Sequence, residues 1–356
     1  MSSVDLIGVH KSYGPVNALR PVDLTIEEGE FLTLLGPSGC GKTTTLRIVA
    51  GFVEPTGGRV MLGGADITWA APNRRNIGMV FQDYALFPHM TVAENIGFGL
   101  QERGEEKRRI ERRVRELLEL IHLPDAAGRY PSEISGGQAQ RVAVARAVAY
   151  APGVLLMDEP LGALDLKLRE AMQKEIRRIQ QELRITTIYV THDQVEAMAM
   201  SDRIAVMKDG VMQQVGTARE IYDRPSTRFV ADFVGQINLV DGVVRGREGP
   251  CWVVDVAGRT FRGQSDENLS EGQEVTLAVR PEAVALGPAD APPNGHNALE
   301  GHVMEIGFAG NIARVTLALD SGRQIVSEMR PQELDLSQGQ SVRASWAADR
   351  TRFLTA

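Results

Sequence analysis

Residues Gly36–Thr43 read GPSGCGKT, a G-x-x-x-x-G-K-[ST] pattern whose chemistry is the holding of phosphate. Its glycines let successive backbone N–H groups turn toward an anion, Lys42 adds a positive charge, and Thr43 offers a hydroxyl to magnesium. In such a loop Lys42 would meet the β- and γ-phosphates of a nucleotide. Further along, Val154–Glu159 reads VLLMDE, an apolar run ending in two adjacent carboxylates. Asp158 would orient magnesium, through water, and Glu159 could accept a proton from an attacking water. Solvated acids at an ordinary strand end would look the same. The phosphate loop in the same chain favours the catalytic reading.

These groups need rigid elements to carry them. Phe31–Leu35 reads as a strand entering the loop and Lys42–Ala50 as a helix leaving it, so a helix N-terminus adds its dipole to the phosphate site. Gly78–Phe81, Val154–Met157, Thr187–Val190 and Ile204–Met207 are further short apolar runs, as expected of strands covered on both faces. Ser135–Tyr150, Leu166–Leu183 and Gln194–Met200 read as helices between them. The expected fold is α/β, a P-loop NTPase core with a mostly parallel sheet. Residues 88–152 read as almost wholly helical, an inserted helical subdomain. Within them Glu102–Glu119 carries both charge signs densely, as a solvated helix with i,i+4 pairs would, or as a basic docking face. Beyond Gly235 the texture changes to short alternating runs broken by Gly, Asp and Pro, with a Pro-rich loop at Gly287–His296. That is the pattern of a small all-β region, barrel-like or sandwich-like. The expected division is 1–235 and 236–356.

A chain of 356 residues accommodates such a pair of domains, and 43% hydrophobic with 24% charged residues suits packed cores. The net charge of -7 argues against a nucleic-acid partner. Cys40 and Cys251 lie far apart and suggest neither a disulfide framework nor a zinc site, which fits a reducing cytosol. No run approaches the roughly 18–20 apolar residues of a membrane span, and the first residues lack the pattern of a signal peptide. The expectation is a soluble, intracellular chain that meets a membrane only through a partner.

Four further segments carry a resemblance. Ser135–Gln138 is SGGQ, within EISGGQAQRVAVARA; Gln82 lies in VFQDYALFPHMTVAENI; LGALD at Leu161–Asp165 follows the carboxylate pair; and His192 lies in YVTHDQVEAM. Their order and spacing resemble the ATP-binding subunits of ABC transporters, and more narrowly the importer subunits of the maltose, polyamine, ferric-iron and sulfate systems. The resemblance extends over nearly the whole chain, including Arg280-Pro281-Glu282 in the C-terminal region, which looks like the OB-like TOBE domain of that family.

The resemblance implies ATP and Mg2+ as cofactors and assigns roles. The nucleotide would be held by Gly36, Pro37, Ser38, Gly39, Cys40, Gly41, Lys42, Thr43 and Thr44, with Tyr13 stacking on adenine. A tyrosine before a glycine is otherwise a turn residue or a core anchor. Magnesium would be held by Thr43, Asp158 and Gln82, and Gln82 would link it and the attacking water to the membrane partner. Glu159, His192 and Gln82 would be catalytic, His192 sensing the γ-phosphate. Ser135 and Gln138 can form a capping box, leaving Ser135, Gly136 and Gly137 as a second anion site at a helix start. In the family the whole SGGQ site, Ser135, Gly136, Gly137 and Gln138, closes with Asp165 on the nucleotide of a second copy, so ATP joins two head-to-tail subunits. Tyr84, Phe87 and Pro88 would line a groove for the partner's coupling helix, or else pack in the core. Three positions depart from the usual pattern: Ile134 for Leu, Ala139 for Gln or Glu, and Gly162 for Ser. The first keeps apolar volume; the third removes one cross-interface hydroxyl.

The implied partners are a second copy, integral membrane permease subunits and, indirectly, a periplasmic or lipid-anchored solute-binding protein. The implied location is the cytoplasmic face of the cell membrane. The stretch Asn297–Asp320 is closer to polyamine and ferric-iron members than to sugar importers, so spermidine and putrescine are the favoured solutes, ahead of ferric iron, sulfate, phosphonate or sugar. A soluble ABC ATPase uncoupled from transport is the alternative of a different class. Such proteins usually carry two ATPase halves or a long coiled coil, and this chain has one set of motifs and no long heptad run.

Overall fold

The computed structural model describes residues 2–162, 164–289, 297–319 and 322–355. They form two compact units, Met1–Ala218 and Arg219–Ala356. The units therefore divide ahead of Gly235, where the texture of the sequence changes, and residues 219–235 pack with the second unit.

The first unit is built on two sheets. An antiparallel one contains β1 (Val4–Tyr13), β2 (Val16–Ile26), β4 (Gly57–Leu62) and β5 (Ala65–Asp66) in the order β2-β1-β4-β5. The other contains β3 (Phe31–Leu35), β6 (Ile77–Val80), β7 (Val154–Asp158), β8 (Thr186–Thr191), β9 (Arg203–Lys208) and β10 (Val211–Gly216). Its order is β10-β9-β3-β8-β7-β6, and every pairing is parallel except that of β9 with β10. All residues of β3, β7 and β8 are buried, which explains their unbroken apolar character. Along β7 the side chains alternate: Leu155 and Met157 enter the core that holds the helices of residues 92–148, and Val154 and Leu156 the core beneath the antiparallel sheet.

The helices are α1 (Lys42–Ala50), α2 (Val92–Glu102), α3 (Lys107–Leu120), α4 (Gly136–Val148), α5 (Leu166–Leu183) and α6 (Gln194–Met200). Helices α2, α3 and α4 occupy most of 88–152. Helix α3 buries Val114, Leu117 and Leu118, and its polar side carries pairs such as Arg109–Glu105 at 2.7 Å and Arg113–Glu116 at 3.2 Å. It is an amphipathic helix with a solvated face. Among the described residues no helix is long and apolar enough to cross a membrane.

The second unit begins with two short helices, α7 (Ala218–Asp223) and α8 (Arg228–Phe233), followed by strands joined by loops and single 3-10 turns. One antiparallel sheet holds β11 (Asn238–Glu248), β12 (Cys251–Val256), β13 (Arg259–Gly263), β14 (Glu274–Val279) and β20 (Arg352–Leu354). The other holds β15 (Ala285–Pro288), β16 (Asn297–Phe308), β17 (Ala313–Leu319), β18 (Gln324–Met329) and β19 (Ser341–Trp346). The alternation of β17 between buried and half-buried residues marks a sheet with one face in the core. There Trp346 stacks on Phe261, the ring centroids 5.9 Å apart. Of the Pro-rich loop, Gly287 and Pro288 belong to β15, and residues 290–296 lie outside the described residues.

One buried charge secures the helix that follows the phosphate loop. The Arg75 guanidinium, 3% exposed, donates to the carbonyls of Ile48 and Val49 (2.7 Å each), Thr68 (2.8 Å) and Ala70 (2.9 Å). It thus satisfies the last carbonyls of α1 and complements the helix dipole. Arg75→Met removes this donor from all four carbonyls, of which only Ile48 keeps another among the described residues, the Gly51 N–H, and the unit should lose about 3 kcal/mol of stability, read from the urea midpoint. A midpoint equal to that of the unaltered chain would show that water or neighbouring groups replace the clamp.

Candidate active site

The phosphate loop leaves β3 at Leu35 and turns through Gly39 (φ 78°) and Gly41 (φ 104°) into α1. At Gly36 the requirement is space. A Cβ there would lie 2.3 Å from the Met207 carbonyl oxygen and 2.6 Å from Cys40 Sγ. Lys42 is 4% exposed, and its Nζ donates to the carbonyls of Gly36 (2.7 Å) and Pro37 (2.9 Å). The ammonium is thus tucked into the loop it would share with a phosphate. Cys40 Sγ lies 3.9 Å from it; burial pushes this thiol up, against the pull of Lys42. The Cys40 side chain is buried and acts here as packing. Pro37 and Thr44 are half-buried, Ser38 exposed.

Thr43 Oγ1 donates to Asp158 Oδ1 at 3.3 Å, across from the loop to the end of β7. Burial raises the Asp158 carboxyl above the usual range, and the charge of Arg47 opposes this. A hydroxyl and a carboxylate side by side are hard oxygen donors of the kind magnesium takes, so these two residues fit the metal. Glu159 follows at once with φ 44°, a left-handed conformation that a non-glycine residue rarely adopts. Its N–H donates to the Val190 carbonyl at 3.0 Å, which anchors the turn to β8. Its Oε2 lies 3.2 Å from His192 Nδ1. The His192 side chain is 59% exposed and that of Glu159 23%. The arrangement brings together oxygens able to bind a metal, a carboxylate able to take a proton, and an imidazole within hydrogen-bond reach of it.

The remaining expected residues lie on other elements. Ser135 caps α4: it accepts from Gln138 N–H (3.3 Å), and Gln138 Oε1 accepts from Ser135 N–H (2.9 Å). Ser135 and Gly136 are exposed, so the helix start is open to an outside ligand. Gly137 is buried against α5, where a Cβ would come 2.9 Å from Leu168 Cδ1. Ile134 keeps its side chain against the core, as the conservative change implies. Asp165 caps α5, accepting from Leu168 N–H at 3.0 Å. Of the LGALD segment, Ala163 lies outside the described residues.

Tyr13 is 51% exposed at the end of β1, with Lys11 Nζ 4.9 Å from its ring centroid, and is no core anchor. Gln82 is exposed in the turn after β6. In the segment that follows, Tyr84 packs against the core, Phe87 meets Phe98 at 4.6 Å between centroids, and Pro88 is exposed. Core packing therefore accounts for part of this aromatic stretch.

Residues that the motifs did not single out hold this framework. Arg146 donates to the carbonyls of Tyr84 (2.9 Å) and Ala85 (2.7 Å), both at positive φ. The buried Asn95 bonds both backbone groups of Phe87. Asp193 Oδ1 caps α6 directly after His192, accepting from Val195 N–H (2.8 Å) and Glu196 N–H (3.2 Å). The Asp beside the histidine, followed by a helical pattern, is the one local signal for any of these.

Residues 19–162 match the ABC transporter family, and residues 277–354 match the TOBE domain. Among curated relatives, a spermidine/putrescine import ATP-binding protein of Frankia alni is 48% identical over 91% of this chain and 72% of its own length. That of Thermobifida fusca is 48% identical over 91% and 85%. That of Rubrobacter xylanophilus is 47% identical over 97% and 92%. Among solved structures, a dimeric post-hydrolysis ATP-binding cassette bound to ADP and Pi superposes with a TM-score of 0.53 at 34% identity, over 61% of this chain and 99% of that one. The chain belongs to the ATP-binding proteins of ABC transporters, as an importer ATPase with a C-terminal TOBE domain.

Proposed function

We propose that this chain hydrolyses ATP at an interface between two of its own copies, and that this drives solute import through separate membrane subunits. The carrying observation is the pairing of Glu159 with His192 beside the Thr43–Asp158 contact. Lys42 and the loop N–H groups bind the β- and γ-phosphates, and Tyr13 offers an open ring face to adenine. Thr43, Asp158 and Gln82 would hold magnesium. When bound, the metal neutralises charge on the β- and γ-phosphoryl oxygens. Glu159 takes the proton of the attacking water, and His192 fixes the carboxylate and contacts the γ-phosphate. The exposed start of α4, with Asp165, supplies anion-binding groups to the nucleotide of the other copy. The dimeric state of the similar cassette bound to ADP and Pi supports this pairing.

The solute class rests on the relatives, which are named as spermidine/putrescine import proteins at 43–48% identity. Under this reading the chain works on the cytoplasmic face of the membrane, beside permease subunits fed by a solute-binding protein. Residues 236–356 serve regulation or dimer stability, outside the catalytic centre.

Glu159→Gln should keep ATP binding and lower hydrolysis by a factor of about a hundred or more, while trapping an ATP-bound dimer. Hydrolysis at the unaltered rate would remove Glu159 as the base. Ser135→Arg in the Glu159→Gln background should retain nucleotide affinity and sediment as a monomer with ATP; a persistent dimer would contradict the head-to-tail arrangement. In the complex reconstituted with its permeases and binding protein, spermidine or putrescine should stimulate ATP hydrolysis. Stimulation by ferric iron or a sugar, and by no polyamine, would replace the solute and leave the motor reading intact.

A further inference from the structure

Helix α5 starts one residue after Asp165, and its fourth residue is Arg169, a position outside every motif of the site. The guanidinium is spread over two segments that the sequence separates. Nη2 donates to the Leu164 carbonyl at 3.0 Å, inside the stretch that ends at Asp165. Nη1 donates to Asp193 Oδ2 at 3.1 Å, leaving Oδ1 to cap α6. Nε faces Glu196 Oε1 at 3.9 Å. Glu196, 3% exposed, accepts from the hydroxyls of Tyr189 (2.7 Å) and Thr191 (2.8 Å) on β8, and Thr191 Oγ1 also accepts from Asp193 N–H at 3.0 Å. His192 therefore sits between two residues, Thr191 and Asp193, that are both held in this network.

We infer that Arg169 is a positioning residue that locks the Leu164–Asp165 segment to the backbone carrying His192, so that the two move as one piece. Three features make the guanidinium specific for this task. Its planar fork meets a carbonyl and a carboxylate in different directions, which an ammonium point charge cannot do from one position. The side chain is largely enclosed, about a quarter exposed like that of Asp193, so these bonds are shielded from water. And the carbonyl it holds belongs to a turn, where helix or sheet pairing fixes little else. The inference rests on the reading that His192 orients Glu159 and that Asp165 faces the nucleotide of the other copy. Loosening the lock would displace both by fractions of an ångström, a scale at which catalytic geometry is sensitive.

The test compares Arg169→Met and Arg169→Lys with the unaltered chain. Arg169→Met should lower kcat for ATP about tenfold or more with the affinity for ATP unchanged within about twofold. Arg169→Lys should recover little of the loss. In the Asp165→Ala, Arg169→Met double variant the losses should not multiply, because both changes act through one segment. Unchanged kcat, or losses that multiply, would overturn the assignment. Absence of ATP hydrolysis by the unaltered chain would instead sink the functional reading, and amide exchange then decides on the lock alone. Arg169→Met should speed exchange at residues 164–168 and 191–196 together while other protected amides stay as they were. Exchange that changes at neither segment, or only at one, would refute the coupling.

Discussion

Parallel pairing of β3, β8 and β7 is the constraint on which the site depends. Leu35 lies opposite Thr191, and Asp158 opposite Val190, so the three chains leave the sheet at nearly one level. The phosphate loop, Glu159 and His192 are each the next step beyond those strand ends. Ligands gather at the carboxyl ends of parallel strands for this reason: the ladder fixes where each chain emerges, and what emerges is free to be loop. Hydrophobic burial holds the ladder, since β3, β7 and β8 are enclosed on both faces. Catalytic geometry here follows from core packing. A register slip of one residue in β7 would turn Asp158 away from Thr43 and reverse the alternation of the two cores at once.

Within that frame the polar groups of the site are paired with protein partners. Lys42 is satisfied by carbonyls of its own loop, and Asp158 by Thr43. Buried groups left unpaired would be costly, and the pairing found here uses bonds that a phosphate or a metal can replace in kind. The positive φ of Glu159 belongs to the same logic. A non-glycine residue in the left-handed region is strained, and it persists because the bond to Val190 and the burial of β7 over-determine the turn. In this conformation the Glu159 carboxylate lies 3.2 Å from His192 Nδ1.

What could be read from the sequence was what burial or a cap defines locally. Strand Phe31–Leu35 and helices Lys42–Ala50, Leu166–Leu183 and Gln194–Met200 run between the residues the pattern indicates. Each is bounded by a glycine turn or an aspartate cap, or is wholly buried. The antiparallel sheet was not legible. Gly8, at φ 60°, falls in an irregularity between Leu6 and Val9, and the pairing shifts again before Ser12, so β1 never keeps a period of two for long. Likewise the approach of Asp158 to Thr43 and of His192 to Glu159 spans 115 and 33 residues of sequence, and only the motifs suggested it.

Arg146, Asn95, Arg75 and Arg169 form a class that local pattern cannot reveal. Each is a polar side chain that bonds at least one backbone carbonyl outside its own element, and no motif marks it. Their common effect is to convert turns into rigid parts. A turn has few internal bonds, and a buried guanidinium or amide supplies two to four at once. Rigid turns matter in a machine whose chemistry sits on turns. The residues after β3, β6, β7 and β8 must keep their places relative to one another while the surrounding surface meets ATP and partner subunits. Arg146 and Asn95 reach from helices to turn carbonyls, and neither bonds Lys42, Asp158, Glu159 or His192.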